Sequence, residues 1–81
     1  MTVYERLLSL KGKNLEVWKV PSGDIAVSYQ GAEIKNNGFL ISEFGVGRTF
    51  EDACEDYISK ISGKTLVFKA YSESREEVTV L

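Results

Sequence analysis

The sequence lacks histidine and has a single cysteine, and these two features exclude several kinds of chemistry. Without histidine, Ser–His and Cys–His catalytic pairs cannot be assembled, and the usual zinc sites lose a main ligand. Cys54 alone cannot form a disulfide within the chain, which fits a reducing compartment. We therefore expect a cytoplasmic protein that is not an enzyme and has no metal or other cofactor.

Long apolar runs are also missing from the sequence. No stretch approaches the roughly 20 residues that a membrane-spanning helix needs. The apolar residues near the N-terminus are interrupted by Glu5 and Arg6, unlike the core of a secretion signal. The sequence predicts no membrane association.

Positive charge is neither abundant nor clustered. The formal net charge is −2, and residues 51–81 carry four Lys/Arg against seven Asp/Glu. Binding to a phosphate backbone needs clustered Lys and Arg side chains that displace counterions. The composition therefore disfavours a nucleic-acid partner.

The apolar content is sufficient for one core, since 43% of the 81 residues are hydrophobic, and we expect a single domain over residues 1–81. Apolar periodicity and turn residues predict the order α-β-β-β-α-β, with an optional final strand. The predicted helices cover residues 2–10 and 50–62, and the predicted strands cover residues 15–20, 25–34, 39–44, 66–70 and 77–81.

This order predicts an α+β fold, with an antiparallel sheet of three to five strands and both helices packed on one face. The second strand is expected to contain a bulge at Gly31, and Asn37-Gly38 is expected to form a hairpin turn. The other sheet face is left for solvent or for a partner. Trp18 and Tyr29 are candidate contact residues there, and packing in the core is the alternative for both. A sheet edge is a candidate site for homodimer formation.

The most informative segment is residues 45–57, in which a glycine-rich turn leads from a strand into a capped helix. Gly45 and Gly47 are expected to form the turn, with a positive φ at one of them at least. Thr49 and Asp52 have the spacing of a capping box. Cys54 falls on the apolar stripe of the helix, which predicts a buried, inert thiol.

The helix–meander–helix order and the pattern Gly45-x-Gly47-x-Thr49 followed by Ala53 resemble the double-stranded-RNA-binding domain. The resemblance implies that domain's α+β architecture. In the family, a lysine-rich start of the last helix contacts phosphates. The matching positions here are Phe50, Glu51 and Cys54, so the resemblance implies the fold without the RNA contacts.

Two further resemblances concern shorter patterns. Gly47, Thr49 and the run Glu51-Asp52-Ala53 are similar to the turn of HicB-like antitoxin folds. The length, the single dense domain and the run Gly63-Lys64-Thr65-Leu66-Val67-Phe68 resemble short uncharacterised proteins of phages and prophages of Gram-positive bacteria. This resemblance implies a protein carried by a phage or prophage. Since catalytic residues are not evident, we expect a non-catalytic interaction protein that binds a host or phage protein through its sheet face and acidic helix.

Two sets of charged residues are candidate binding sites. One set is an acidic helix face, which is predicted to bind a protein partner by mimicking the phosphates of a nucleic acid. Two alternatives stay open, namely that this face binds a divalent ion or that it contacts only solvent. It consists of Glu51, Asp52, Glu55 and Asp56. The alternative is a nucleic-acid or anion site, with Lys11, Lys13, Lys35, Arg48 and Lys64 as the candidate contacts.

The run Ser62-Gly63-Lys64-Thr65 is similar to the end of a phosphate-binding loop. In that motif, however, a strand precedes the loop and a helix follows it. Here the predicted order is helix and then strand, so we interpret Gly63 as the residue that ends the helix.

Overall fold

The computed structural model describes residues 13–80, and the helix predicted over residues 2–10 and the candidate Lys11 lie outside that range. Within it, the α+β class with antiparallel strands is confirmed, with one helix. The elements are β1 (Leu15–Lys19), β2 (Ile25–Tyr29), β3 (Ala32–Asn36), β4 (Phe39–Ile41), β5 (Gly45–Gly47), α1 (Phe50–Ile61), β6 (Thr65–Phe68) and β7 (Glu76–Thr79).

The strands form two antiparallel sheets, whereas the sequence predicted one. Sheet A has the strand order β1-β2-β5, and sheet B has the order β4-β3-β6-β7. The final strand, which the sequence left optional, pairs with β6 in sheet B and is confirmed. In residues 13–80, β1 has a strand partner on one side only, so homodimer pairing through a sheet edge stays a prediction.

The two sheets are joined by a long hairpin that bends in the middle. Val27 lies opposite Gly45 in sheet A, and Ile34 lies opposite Ile41 in sheet B. Between these two pairs, one arm of the hairpin has six residues, 28–33, and the other arm has three, 42–44. The bulge predicted at Gly31, which has φ of 72°, is therefore the point where the chain leaves one sheet and enters the other.

The tip of this hairpin is the turn that the sequence predicts. Asn37 and Gly38 both have positive φ values, 50° and 86°. Asn36 and Phe39 form the pair that closes the turn. Asn and Gly tolerate this backbone conformation better than other residues do, which explains why the turn was predictable.

Helix α1 matches its prediction in position, capping and buried face. The Thr49 hydroxyl accepts a hydrogen bond from the backbone N–H of Asp52, at 3.1 Å. After the helix, Gly63 takes a φ of 75°, which is typical of a residue just beyond a helix C-terminus. The apolar stripe is buried, and its members are Ala53, Cys54, Tyr57, Ile58 and Ile61.

Gly45 and Gly47 do not form the turn with a positive φ that the sequence predicted, so the reason given for glycine at these positions was wrong. Neither residue is among the glycines with positive φ, and together they form strand β5, paired with β2. Glycine is needed because α1 packs directly on this strand. A Cβ at Gly45 would overlap the Ala53 carbonyl and lie 2.5 Å from Tyr57 Cβ, and one at Gly47 would lie 2.5 Å from the Ala53 nitrogen.

We predict that Gly45→Ala destabilises the protein much more than Gly31→Ala. The methyl group at position 45 must push the helix backbone away from β5, which we expect to cost about 3 kcal/mol of the free energy of unfolding. At Gly31 a Cβ would meet nothing within 4 Å, so only the positive φ is penalised, at about 1 kcal/mol. Urea unfolding of the two variants measures the difference, and equal losses would show that close packing is not the constraint at Gly45.

Candidate functional site

The predicted acidic face of α1 is only partly free for binding. Glu51, Asp52 and Glu55 are exposed, whereas Asp56 is half-buried. The Asp56 carboxylate accepts a hydrogen bond from the Val46 backbone N–H at 2.8 Å, through Oδ2. Asp56 therefore holds strand β5 against the helix, and the exposed acidic face is reduced to the other three residues.

A lysine completes this contact between helix and strand. Lys60 Nζ lies 3.0 Å from Asp56 Oδ2 and donates to the Phe44 carbonyl oxygen at 2.9 Å. The Val46 hydrogen bond has the largest effect and lowers the pKa of Asp56 below its ordinary value. Desolvation opposes it, and the hydrogen bond and charge of Lys60 lower the pKa further. The carboxylate is thus held ionised by groups of the protein itself.

Around Arg48, one of the candidate anion contacts, two groups that could bind an anion already have partners within the protein. The N–H of Val46 binds Asp56, and the Thr49 hydroxyl caps the first turn of the helix. Glu51 and Asp52 lie in that first turn and add negative charge next to Arg48. An added anion would meet carboxylates on both sides, so this end of α1 is poorly suited to one.

The structure does not gather the predicted basic residues into one surface. Lys13 pairs with Glu76 at 2.7 Å and lies over the Phe68 ring, and Lys35 pairs with Glu77 at 3.3 Å. Glu77 is exposed. The hydrogen bond that its carboxylate accepts from Lys35 is the main effect that lowers its pKa.

The other two described basic candidates are exposed and far apart. Arg48 precedes helix α1 and Lys64 follows it, so they flank opposite ends of a helix of 12 residues. At the usual rise per residue, such a helix is roughly 18 Å long. Arg48 is therefore separated from Lys64. Lys64 lies next to Thr65, which pairs with Lys35, but the charge of Lys35 is balanced by Glu77.

The expected exposure of Tyr29 was wrong, because this residue is 2% exposed. It shares the helix-facing side of β2 with Val27, and its ring lies 5.9 Å from the ring of Tyr57. Desolvation, with smaller effects of Tyr57 and Cys54, raises the pKa of Tyr29 to about 12. Tyr29 is thus a core residue, and its ring packs near that of Tyr57 and is not exposed on the sheet surface.

Trp18 is on the surface, which is one of the two positions that the sequence left open for it, and it has an aromatic neighbour that was not predicted. Trp18 pairs with Ala26 across the strands, which places it on the face of sheet A opposite to Val27 and helix α1. Its ring lies 5.8 Å from the ring of Phe44 at a tilt of 54°. Trp18 is 38% exposed and Phe44 is 40% exposed, so the pair offers open ring surface to a ligand.

These two rings belong to an open groove of about 410 Å³, which we call the hairpin groove. It lies where the long hairpin bends and the two sheets separate. Three glutamates from three different segments line it together with the aromatic pair: Glu16 on β1, Glu33 on β3 and Glu43 between β4 and β5. The hairpin groove is thus a place among residues 13–80 where a cavity, exposed aromatic rings and charged side chains occur together.

Only part of this groove had a signal in the sequence. Glu16 is two residues from Trp18 on a strand, so alternation places the two side chains on the same face. Glu33, Glu43 and Phe44 reach the groove because the hairpin bends at Gly31 and at residues 42–44. That bend separates two sheets that the sequence predicted as one, and the position of these three residues was therefore missed.

Cys54 is fully buried on the inner side of α1, as predicted. Burial, with a smaller effect of the Glu51 charge, raises the pKa of its thiol. A protonated thiol without access to solvent is a poor nucleophile. Among residues 13–80, no three His, Cys, Asp or Glu side chains form a group that could hold a metal ion.

Comparison of the chain with protein-family models, with curated proteins and with solved structures finds no match in any of the three. The resemblances to RNA-binding domains, HicB-like folds and phage proteins accordingly stay predictions from the sequence. In the part of the chain that the structure describes, no helix has the length and apolar character needed to cross a membrane.

We predict that Asp56→Ala lowers the free energy of unfolding by about 1 kcal/mol near neutral pH, because the Val46 N–H loses its acceptor. The pKa of Asp56 is lowered in the folded protein, so its stabilising effect is complete above the unfolded-state pKa and is lost as the pH falls through the folded-state pKa. The gap between parent and variant should therefore narrow below pH of about 4.

Urea unfolding at neutral and at acidic pH measures this gap. Glu55→Ala is the matched control, since Glu55 is its exposed neighbour on the same helix, and it should stay within about 0.5 kcal/mol of the parent. A gap for Asp56→Ala that stays constant into acid, or an equal loss in the control, would contradict the role given to Asp56.

Proposed function

We propose that this chain is a non-catalytic interaction protein, carried by a phage or prophage, which binds a host or phage protein through the hairpin groove. The observation that carries the proposal is the exposed Trp18–Phe44 pair inside a groove of about 410 Å³. This volume is in the range of ligand-binding pockets, and tryptophan is enriched among the residues that dominate protein–protein binding energies.

The position of the groove relative to helix α1 also supports the proposal. The helix covers the face of sheet A that carries Val27 and Gly45, and it closes the core on that side. Trp18 and Phe44 are on the other face, where a bound partner would not disturb the core. The antiparallel sheet A tolerates such an uncovered face, since strands of this kind commonly have one side in contact with solvent.

The exposed acidic face of α1, formed by Glu51, Asp52 and Glu55, is a separate surface. The helix packs on the side of sheet A away from Trp18, so one small partner segment cannot occupy both places. A larger basic partner, such as a protein that itself handles nucleic acids, would contact the helix face as an additional surface. In this form the proposal includes inhibition of such a protein.

The nucleic-acid-binding alternative has less support from the geometry. Two of its candidate contacts, Lys13 and Lys35, are paired with Glu76 and Glu77. Breaking these pairs would leave two carboxylates close to the phosphates. Exposed ion pairs of this kind contribute little energy themselves, but they remove the excess positive charge that a polyanion requires.

We predict that capture of a partner depends on Trp18. The immobilised protein is incubated with a lysate of a Gram-positive bacterium, and retained proteins are identified by mass spectrometry. Trp18→Ser should lose the specifically retained protein because the ring surface of the groove is removed. Phe39→Ser is the matched control, since Phe39 is an aromatic residue with 74% exposure at the hairpin tip, outside the groove.

The helix surface is tested in the same assay by replacing Glu51, Asp52 and Glu55 together with Ser. Retention by this variant, with loss in Trp18→Ser, assigns binding to the groove. The proposal is wrong if the parent retains no protein specifically, or if Trp18→Ser and Phe39→Ser behave alike. Thermal melts of all three variants confirm that each one is folded before it is compared.

A further inference from the structure

We infer that the hairpin groove recognises an arginine side chain presented by a protein partner. The guanidinium would stack on the Trp18–Phe44 pair, and the surrounding carboxylates would neutralise its charge. This inference rests on the proposed function of the groove and adds the chemistry of what it binds.

The aromatic pair supplies the first half of the recognition. The two rings lie 5.8 Å apart with a tilt of 54°, and both have more than a third of their surface exposed. A cation placed over such a ring is attracted by the negative charge density of the ring face, most strongly for tryptophan. Arginine suits this position better than lysine because its planar guanidinium also stacks and is more weakly hydrated.

The glutamates supply the second half. Glu16, Glu33 and Glu43 line the groove together with the rings, and they come from β1, from β3 and from the segment before β5. Within residues 13–80, none of the three forms an ion pair, and no Lys or Arg lines the groove. A bound cation would neutralise part of their negative charge, and a carboxylate can accept two parallel N–H donors from a guanidinium.

Lys60 does not provide the cation that the groove glutamates would bind. Lys60 Nζ lies 5.9 Å from the centre of the Phe44 ring, but it is bound to Asp56 and to the Phe44 carbonyl oxygen. Its charge is therefore balanced by Asp56 and not by the groove glutamates. The lysine shows that the Phe44 ring tolerates a cation near it, while the groove glutamates have no ion-pair partner among residues 13–80.

The groove also suits a protein segment better than a polyanion. Three carboxylates would repel the phosphates of a nucleic acid. The volume of about 410 Å³ accommodates an arginine together with parts of its neighbours in a chain. Carboxylates and aromatic rings in one cavity are complementary to a basic side chain, and this complementarity identifies the occupant.

The test uses synthetic peptides and the fluorescence of Trp18, which is the only tryptophan of the chain. The probe is the peptide Gly-Ser-Arg-Gly-Arg-Ser-Gly with blocked ends. In one matched peptide both arginines are replaced by lysine, and in another by citrulline, a neutral residue of nearly the same shape. We expect saturable binding of the arginine peptide, weaker binding of the lysine peptide, and a loss of about tenfold or more for the citrulline peptide.

Two triple variants separate local recognition from the overall charge of the protein. Glu16→Gln, Glu33→Gln and Glu43→Gln, combined, should weaken binding of the arginine peptide by about tenfold. The control combines Glu73→Gln, Glu76→Gln and Glu77→Gln, which removes the same charge at exposed positions outside the groove and outside helix α1, and it should bind like the parent. Equal binding of the arginine and citrulline peptides, equal loss in both triple variants, or no saturable binding overturns the inference.

The outcomes also distinguish this inference from the proposed function. If Trp18→Ser loses the partner from the lysate but the groove triple variant retains it, the groove binds a protein that does not present arginine. If the parent is a dimer by light scattering and Trp18→Ser is a monomer, the occupant is a second copy of this chain. If a duplex RNA, added without peptide, changes the Trp18 fluorescence saturably, the groove is not selective for a cation. Each of these three results overturns the arginine assignment.

Discussion

The close packing of helix α1 on strand β5 is the constraint on which the rest of the structure depends. The positions of β5 whose side chains would face the helix are Gly45 and Gly47, which have none. The helix backbone lies where a Cβ of another residue would be. Asp56 fixes the same contact through the Val46 N–H. A strand without inner side chains lets the helix come near enough for Tyr57 and its neighbours to fill the core between the two sheets.

The location of the hairpin groove follows from this contact. Since α1 covers the inner face of sheet A, the exposed aromatic pair Trp18–Phe44 is left on the outer face. Phe44 immediately precedes β5, and its carbonyl oxygen is held by Lys60 of the helix. The helix–strand contact that closes the core therefore also determines the position of the Phe44 ring. A change that loosens this contact would displace one ring of the groove and so weaken binding there.

The sequence predicted local structure well and failed where distant segments meet. Asn37-Gly38 and the cap at Thr49 were predictable because their signals are contained in a few neighbouring residues. The importance of Gly45 was predictable, but its reason was not, since a positive φ and a close approach of a distant backbone both require glycine. Tyr29 was misplaced because alternation separates the two faces of a strand without telling which one the helix covers.

The most direct test of the helix–strand contact is a nuclear Overhauser measurement on the labelled protein. The account predicts strong cross-peaks between the α-protons of Gly45 and the amide proton of Tyr57, and between the α-protons of Gly47 and the amide proton of Ala53, because those α-protons face the helix backbone. If these protons are assigned and show only sequential and cross-strand contacts, the helix does not pack on β5 and the account is wrong.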